Sequence, residues 1–589
     1  MLSKKSQMIR LKMKVVALFA FLLIGLLVFR AFDLQIMHGH HHEKKARSQT
    51  IASIILEPAR GEILDRNLDA LAISVKAESL FARPRQVTDK KLAHEKLAEI
   101  FAGKSRLLKN RLDSQSAFAF LVRKLPPDDM ERVVFSGVLD IPGIDVMQEH
   151  ARFYPYNTFA SPILGYVNID GVGKLGVEKT FDDLLRGEKI TLSGVRDARR
   201  KIGLGLSDFD LGEAVGHSLV LTIDKTIQYV ADKAIRDAVE RAEAKCGIAA
   251  VMDPRTGDLL AISQWPSFDA NRYSTYPIAN LHNAAVEYVY EPGSTMKIVT
   301  IGAALDTGVV KPEDMFSLNK GTYTITNITI HDSHRYKEET FMSVEEILVK
   351  SSNVGTVKVA EVLGAENLYN YLKAFGFGER TGVALPSESR GLLRHYSKWM
   401  PIDFANVAFG QGLNGTVMQV LQMTAAVAND GLLVPPRLVR GVVTPAGEFV
   451  EADPDTSDQR RVFKASTAKI LRSIMVNVVG DEGTASKAAI EGVKVAGKTG
   501  TAQRIDPETK RYSKKLWSSW FVGMVPAENP SLAVVVMIDK PSGRHYYGGE
   551  VAAPPFREIV SEILRLNGDL AVDPVQETEP KKAEEHARR

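Results

Sequence analysis

An unbroken apolar run over residues 15–29, entered through Lys4, Lys5, Arg10, Lys12 and Lys14 and left through Arg30, limits what this chain can be more than any other feature. The fully apolar stretch falls short of the roughly 20 residues that a bilayer span needs. Arg30 can snorkel, and Ala31-Phe-Asp-Leu-Gln-Ile-Met37 continues a helical pattern, so a transmembrane helix over residues 13–37 is expected. A cleaved signal peptide has the same layout, but the small-x-small cleavage pattern is missing where Arg30-Ala-Phe32 stands. The helix therefore reads as an uncleaved anchor. Its basic flank places residues 1–12 in the cytoplasm and the rest of the chain outside. With no second apolar run long enough to span, a single-pass membrane protein with a large extracytoplasmic part is expected.

At 589 residues the chain is too long for one core, and the anchor leaves room for two domains, over residues 38–215 and 216–566. The charged, Pro-containing tail over residues 567–589 reads as disordered. Basic and acidic residues number 75 and 71, a balance that argues against a nucleic-acid partner. Cys246 is the only cysteine, so an intrachain disulfide and a Cys-rich zinc site are both excluded. It opens Cys246-Gly-Ile-Ala-Ala-Val-Met252, a buried-strand pattern in which an inert thiol is the expectation. His38-Gly-His-His-His42 and His331-Asp-Ser-His334 carry imidazoles without a complete ligand pattern, and both read as polar segments with no metal.

From residue 51 to about 212 short strand and helix patterns alternate, with no serine-base constellation, as in a structural or docking module. Ser218-Leu-Val-Leu-Thr-Ile-Asp224 opens a second unit: a strand, a long amphipathic helix, and two apolar strands around the turn signal Asp253-Pro-Arg-Thr-Gly257. A late strand over 532–538 and a closing helix over 556–566 complete an antiparallel sheet with helices on its faces.

Three motifs fall in order inside that unit. Glu291-Pro-Gly-Ser-Thr-Met-Lys297 is a helix start, so Ser294 and Lys297, three apart, share one face beside free backbone N–H groups. A lysine acts as base only when neutral, which needs burial or a neighbouring cation, and Lys498 could be that cation. Ser351-Ser-Asn353 follows a helix opened by the capping box Ser343-Val-Glu-Glu346, where a hydroxyl can pass a proton and an amide can hold a peptide group. Lys498-Thr-Gly-Thr501 follows the strand pattern Val493-Lys-Val-Ala-Gly497. Alternation sends Lys498 and Gly500 to one face, Thr499 and Thr501 to the other, and Gly500 leaves room for a substrate backbone. Decoys exist: Ser466-Thr-Ala-Lys469 repeats the first pattern and Ser317-Leu-Asn319 the second, but neither has the right local setting. Together the ordered trio describes acyl transfer through an acyl-serine.

These residues resemble the class B penicillin-binding proteins over nearly the whole chain. The likeness takes in Arg60-Gly-Glu-Ile-Leu-Asp-Arg66, Gly176-Val-Glu178, Tyr290-Glu-Pro-Gly-Ser294, Phe409-Gly-Gln-Gly412, Tyr547-Gly-Gly549 and Ala552-Ala-Pro554. The resemblance implies an α+β multidomain fold: transmembrane helix, elongated α+β pedestal of the dimerisation type, and transpeptidase domain with a central antiparallel sheet flanked by helices. It implies a peptidoglycan D,D-transpeptidase needing no cofactor. By analogy Ser294 attacks the penultimate D-Ala carbonyl, Lys297 activates it, Ser351 relays protons with Lys498, and Asn353 holds the peptide. Thr499 or Thr501 beside Gly500 would take the carboxylate, and the Ser294 and Thr501 N–H groups the oxyanion. Implied partners are lipid-linked or nascent peptidoglycan stem peptides, β-lactams, a membrane glycosyltransferase of the SEDS type and other divisome proteins. The implied location is the inner membrane with a periplasmic catalytic domain.

The Glu291-Pro-Gly start and Trp520-Phe-Val-Gly-Met-Val-Pro526 look more like the division (FtsI-like) branch, with the elongation branch as alternative. Two departures stand out: Leu68 where the family has Gly after Asp-Arg-Asn, which puts that turn in question, and Phe409 for a frequent Tyr. A β-lactamase would need a deacylating carboxylate that the sequence does not identify. A non-catalytic β-lactam sensor or divisome scaffold would need a cytoplasmic output, for which the segment before the anchor is too short.

Overall fold

The computed structural model of the chain describes residues 2–37, 51–56, 58–187, 190–196, 202–203, 215–333, 335–453, 457–506 and 508–568. The histidine run at 38–42 and the tail expectation beyond 568 lie outside the described residues. Two compact units emerge: residues 1–59 with 187–215, and residues 60–186 with 216–589.

In the first unit one helix, Leu2–Phe32, runs into a π-helical turn, Asp33–Met37. Residues 11–37 are long and apolar enough to cross a membrane, and they carry the only such helix among the described residues. Arg30 pairs with Asp33 at 2.8 Å, one helical turn away, which partly neutralises the charge at the C-terminal end of the apolar run. The strands Ile51–Leu56, Ile190–Arg196 and Ile202–Gly203 form a small antiparallel sheet.

The second unit is built on a five-stranded antiparallel sheet, ordered Leu259–Trp265, Cys246–Met252, Leu532–Asp539, Tyr512–Val525, Ala496–Ile505. Leu532–Asp539 is buried at every position, because both faces of this middle strand are covered, and its sequence is accordingly apolar almost throughout. Helices Lys225–Arg241 and Ala553–Leu566 pack on one face, while Val417–Ala428 and Ala465–Val479 pack on the other. Val417–Ala428 is buried all round, which explains its lack of a polar face. Cys246 begins its strand as expected, and burial pushes its thiol up to about 12, consistent with an unreactive residue.

Residues 60–186 share the second unit, and a seven-stranded sheet ties them to the rest. Ile63–Leu64 pairs in parallel with Ser218–Leu221 and antiparallel with Ala70–Ala82. Two motifs that the sequence offered only as family likeness, those of Arg60 and Glu178, converge here with Arg152, on strand Ile144–Phe153, and Tyr154, the residue after it. Arg60 meets Glu178 and Asp182 at 2.6 Å each, and Arg152 meets the other oxygen of Glu178 at 2.6 Å. Tyr154 adds a hydroxyl donor to Glu178 at 3.2 Å. Glu178 is fully buried, so its two arginines are what make its charge tolerable.

The turn after Ile63–Leu64 explains the missing glycine. Leu68 has φ of 69°, in the left-handed region that favours glycine, and its N–H donates to the Asp65 carbonyl. The turn is kept, with leucine bearing the strain.

Candidate active site

Ser294 sits in a 3₁₀ turn, Gly293–Met296, that runs directly into helix Lys297–Thr307. Gly293 has φ of 57°, and its N–H donates to the Gly410 carbonyl at 3.0 Å. A Cβ on Gly410 would lie 1.9 Å from the Gly293 carbonyl, so the Phe409-Gly-Gln-Gly412 loop can press on this turn only with glycine there. Glu291 closes the clamp, its Oε1 accepting from the Gly412 N–H at 2.9 Å and the Tyr512 hydroxyl at 2.8 Å. Burial pushes the Glu291 carboxyl up.

Lys297 is fully buried, and its Nζ donates to the Ser351 carbonyl at 2.6 Å, Asn353 Oδ1 at 2.8 Å and Ser351 Oγ at 3.3 Å. From the edge strand, fully buried Lys498 donates through Nζ to the same Ser351 Oγ at 2.9 Å and to the Thr499 carbonyl at 3.0 Å. Two lysine Nζ groups thus share one hydroxyl. Burial lowers the Lys297 pKa to about 7 against the pull of the Asp332 charge. Burial and the neighbouring Lys297 hold Lys498 well below the usual lysine range.

Ser351 itself has φ of 61°, between helices Val344–Val349 and Asn353–Leu363. The capping box read from Ser343 and Glu346 is present, and Ser352 caps the second helix. The residue that grips this turn was not singled out from the sequence. Asp332 Oδ1 accepts from the N–H groups of Asn353 at 2.6 Å and Val354 at 3.0 Å, and Oδ2 from Ser352 Oγ at 2.8 Å. The His331-Asp332 pair is therefore more than a polar loop, although among the described residues no three-ligand metal cluster occurs.

Ala496–Ile505 is the sheet's edge strand, and among the described residues its outer side has no strand partner. Alternation holds as expected: a Cβ on Gly500 would meet the Pro292 carbonyl at 2.8 Å and Thr295 Cγ2 at 3.0 Å, beside the Ser294 turn. On the other face Thr499 Oγ1 lies 2.8 Å from Thr484 Oγ1, and Thr501 Oγ1 accepts from the Gly548 N–H at 3.1 Å. Tyr547-Gly-Gly549 thereby braces the strand, and Thr484 is a second neighbour that no spacing announced.

Lys297, Ser351, Asn353 and Lys498 are thus in direct hydrogen-bond contact, and Gly500 abuts the Ser294 turn. Ser294 is half-buried, and among the described residues its Oγ makes no hydrogen bond to either lysine. The decoys lie apart: Ser466 and Lys469 are exposed on helix Ala465–Val479, and Ser317 bonds to Asn319 on the surface.

Comparison with known proteins places this geometry. Residues 247–561 match the penicillin binding protein transpeptidase domain family, and residues 55–205 the penicillin-binding protein dimerisation domain family. The probable peptidoglycan D,D-transpeptidase PenA of Neisseria meningitidis is 33% identical over 93% of this chain and 91% of its own length. Peptidoglycan D,D-transpeptidase FtsI of Escherichia coli is 31% identical over 92% and 90%. Stage V sporulation protein D of Bacillus subtilis is 32% identical over 92% and 84%. The crystal structure of penicillin binding protein 3 from Mycobacterium tuberculosis complexed with aztreonam superposes with a TM-score of 0.68 at 29% identity, covering 87% of this chain and 97% of that one. The chain belongs to the class B penicillin-binding proteins and is a serine-type peptidoglycan D,D-transpeptidase.

Proposed function

We propose that Ser294 is the acyl carrier and that the two buried lysines drive its chemistry through Ser351. The observation that carries this reading is the convergence of Lys297 and Lys498 on Ser351 Oγ, at 3.3 and 2.9 Å. A lysine held near neutrality is neutral in about half the molecules at pH 7, and a neutral Nζ can take the Ser294 proton. Ser294 Oγ then bonds to the penultimate D-Ala carbonyl carbon, and the oxyanion falls to the N–H groups of Ser294 and Thr501. The leaving D-Ala amine takes a proton from Ser351, which Lys498 or Lys297 replaces. An acceptor amine reverses the sequence and forms the cross-link.

Substrate binding follows from the edge strand. A stem peptide can add to Ala496–Ile505 as a further strand, Gly500 letting that strand lie close against the Ser294 turn. Asn353 Nδ2 donates one hydrogen to the His331 carbonyl at 2.9 Å, which leaves its second for a substrate carbonyl. The Thr499 or Thr501 hydroxyl, on the face braced by Thr484 and Gly548, is the group offered to the terminal carboxylate. β-Lactams, which imitate D-Ala-D-Ala, acylate the same serine.

In the cell this activity acts in septal wall synthesis, from an inner-membrane anchor with a cytoplasmic N-terminus and periplasmic catalytic domain. Its partners there are a SEDS-type glycosyltransferase and other divisome proteins. Support comes from the residues 11–37 helix and the division-type sequence features around Glu291 and Trp520. Labelling with a fluorescent penicillin tests the chemistry: Ser294→Ala abolishes labelling and Ser466→Ala leaves it intact, whereas equal labelling of the Ser294 variant defeats the reading. Depletion in cells tests the role, with filaments supporting division and round cells the elongation alternative.

A further inference from the structure

Nothing in the three motifs explains why the Ser351-Ser-Asn353 turn stays where both lysines can reach it. The turn has a left-handed Ser351 at its centre, with φ of 61°, a conformation that needs outside support. The preceding helix supplies one bond, the Ser352 N–H donating to the Ile347 carbonyl at 3.0 Å. Helix Val344–Val349 ends just before the turn, and helix Asn353–Leu363 begins inside it, with its first N–H groups needing acceptors. The rest of the support arrives from 20 residues upstream, at the end of strand Ile328–His331.

Asp332 is only 9% exposed and spends both oxygens on that turn. Oδ1 takes the Asn353 and Val354 N–H groups, and Oδ2 takes Ser352 Oγ, which itself accepts the Gly355 N–H at 2.9 Å. The preceding carbonyl, of His331, accepts Asn353 Nδ2 at 2.9 Å. That contact orients the amide so that Oδ1 faces the Lys297 ammonium at 2.8 Å. One dipeptide therefore positions the backbone of Asn353, the orientation of its side chain and the serine between the lysines. Asp332 is itself tied down, its N–H donating to the Gly321 carbonyl at 3.0 Å.

We propose that Asp332 is a positioning residue for acyl transfer, holding the Ser352–Val354 turn so that Ser351 and Asn353 meet Lys297. This rests on the acyl-serine reading above. The hydrogen-bonded grip has an electrostatic consequence. Burial disfavours the Lys297 ammonium and the Asp332 charge favours it, while Lys297 in turn disfavours the ammonium form of Lys498 on the edge strand. Asp332 in turn faces Lys297 and the Tyr336 phenol, which burial and then the Asp332 charge push up, and lies next to His331. Removing the negative charge while keeping the shape leaves Lys297 neutral to lower pH, so the acid limb of the acylation profile moves down in pH.

The test is the second-order rate constant for acylation by a fluorescent penicillin, measured on the full-length protein from about pH 5 to 9. Asp332→Asn keeps the acceptor for the two N–H groups. It should shift the acid limb downward by about half a unit to one unit, with the plateau rate within about tenfold of wild type. Asp332→Ala removes the grip and should lose at least about thirtyfold of the plateau rate while the protein still unfolds cooperatively. An unmoved limb in Asp332→Asn, or an Asp332→Ala rate equal to wild type, overturns the proposal. Persistent labelling of Ser294→Ala would instead strike the acyl-serine reading itself, so the two failures are separable.

Discussion

Lys498 reaches across 147 residues of sequence to place its Nζ 2.9 Å from the Oγ of half-buried Ser351, the lysine itself being fully buried. A buried ammonium on a hydroxyl that also faces Lys297 is costly for the fold, since neither lysine has a carboxylate within salt-bridge distance among the described residues. The arrangement persists because two helices, a loop and an edge strand are each fixed by other contacts. It makes the site reactive for the same reason that it makes it expensive.

Replacing Lys297 by methionine, which keeps much of its volume, removes that cost along with the base. Acylation should fall by about 10²–10⁴-fold. The stability gain should depend on pH. The unfolded lysine holds its proton up to about pH 10.4, the folded one only to about 7, so between them the unfolded chain binds more protons and stability rises with pH. The penalty is full below about pH 7 and gone above about pH 10.4. The Tm advantage of Lys297→Met over wild type should therefore be largest near pH 6–7 and shrink toward pH 10, as read by circular dichroism.

Gly500→Ala should injure the site rather than the core. The new methyl would press on the Pro292 carbonyl at 2.8 Å and on Trp520 Cβ at 3.1 Å, pushing the edge strand off the Ser294 turn. The acylation rate constant should drop at least about tenfold, with Tm lowered by less than for a core cavity. A rate equal to wild type would show that the spacing between strand and turn does not matter.

The five motif residues Ser294, Lys297, Ser351, Asn353 and Lys498 were readable because spacing and helix-start signals carry them. Sheet alternation likewise separated Lys498 and Gly500 from Thr499 and Thr501. Asp332 and Thr484 were not readable. Each reaches the site from a loop, Asp332 as a side chain on backbone N–H groups and Thr484 through a single hydroxyl, and neither contact leaves a periodic trace. The anchor's composition was plain, whereas the shared seven-stranded sheet was not, because Ile63–Leu64 is a two-residue strand whose partner lies more than 150 residues away.

Glu178→Ala should be among the most destabilising single changes outside the catalytic region. It would leave Arg60 and Arg152 facing one another without the buried carboxylate that each meets at 2.6 Å. A loss of about 3–5 kcal/mol is expected, visible as a lowered unfolding midpoint in urea. A midpoint within error of wild type would mean that Asp182 and main-chain carbonyls suffice.

Leu68→Gly should act in the opposite direction. The left-handed φ of 69° strains leucine, and the side chain is 56% exposed, so little packing is lost. A gain of about 1 kcal/mol is expected as a raised Tm, with acylation unchanged.

The most direct measurement is peptide mapping by mass spectrometry after the protein is incubated with a β-lactam. The adduct should sit on Ser294 alone, at one equivalent per chain, and be absent from Ser294→Ala. An adduct on Ser351, Ser466 or any other residue, or its persistence in that variant, would contradict the assignment of Ser294 as the acyl carrier.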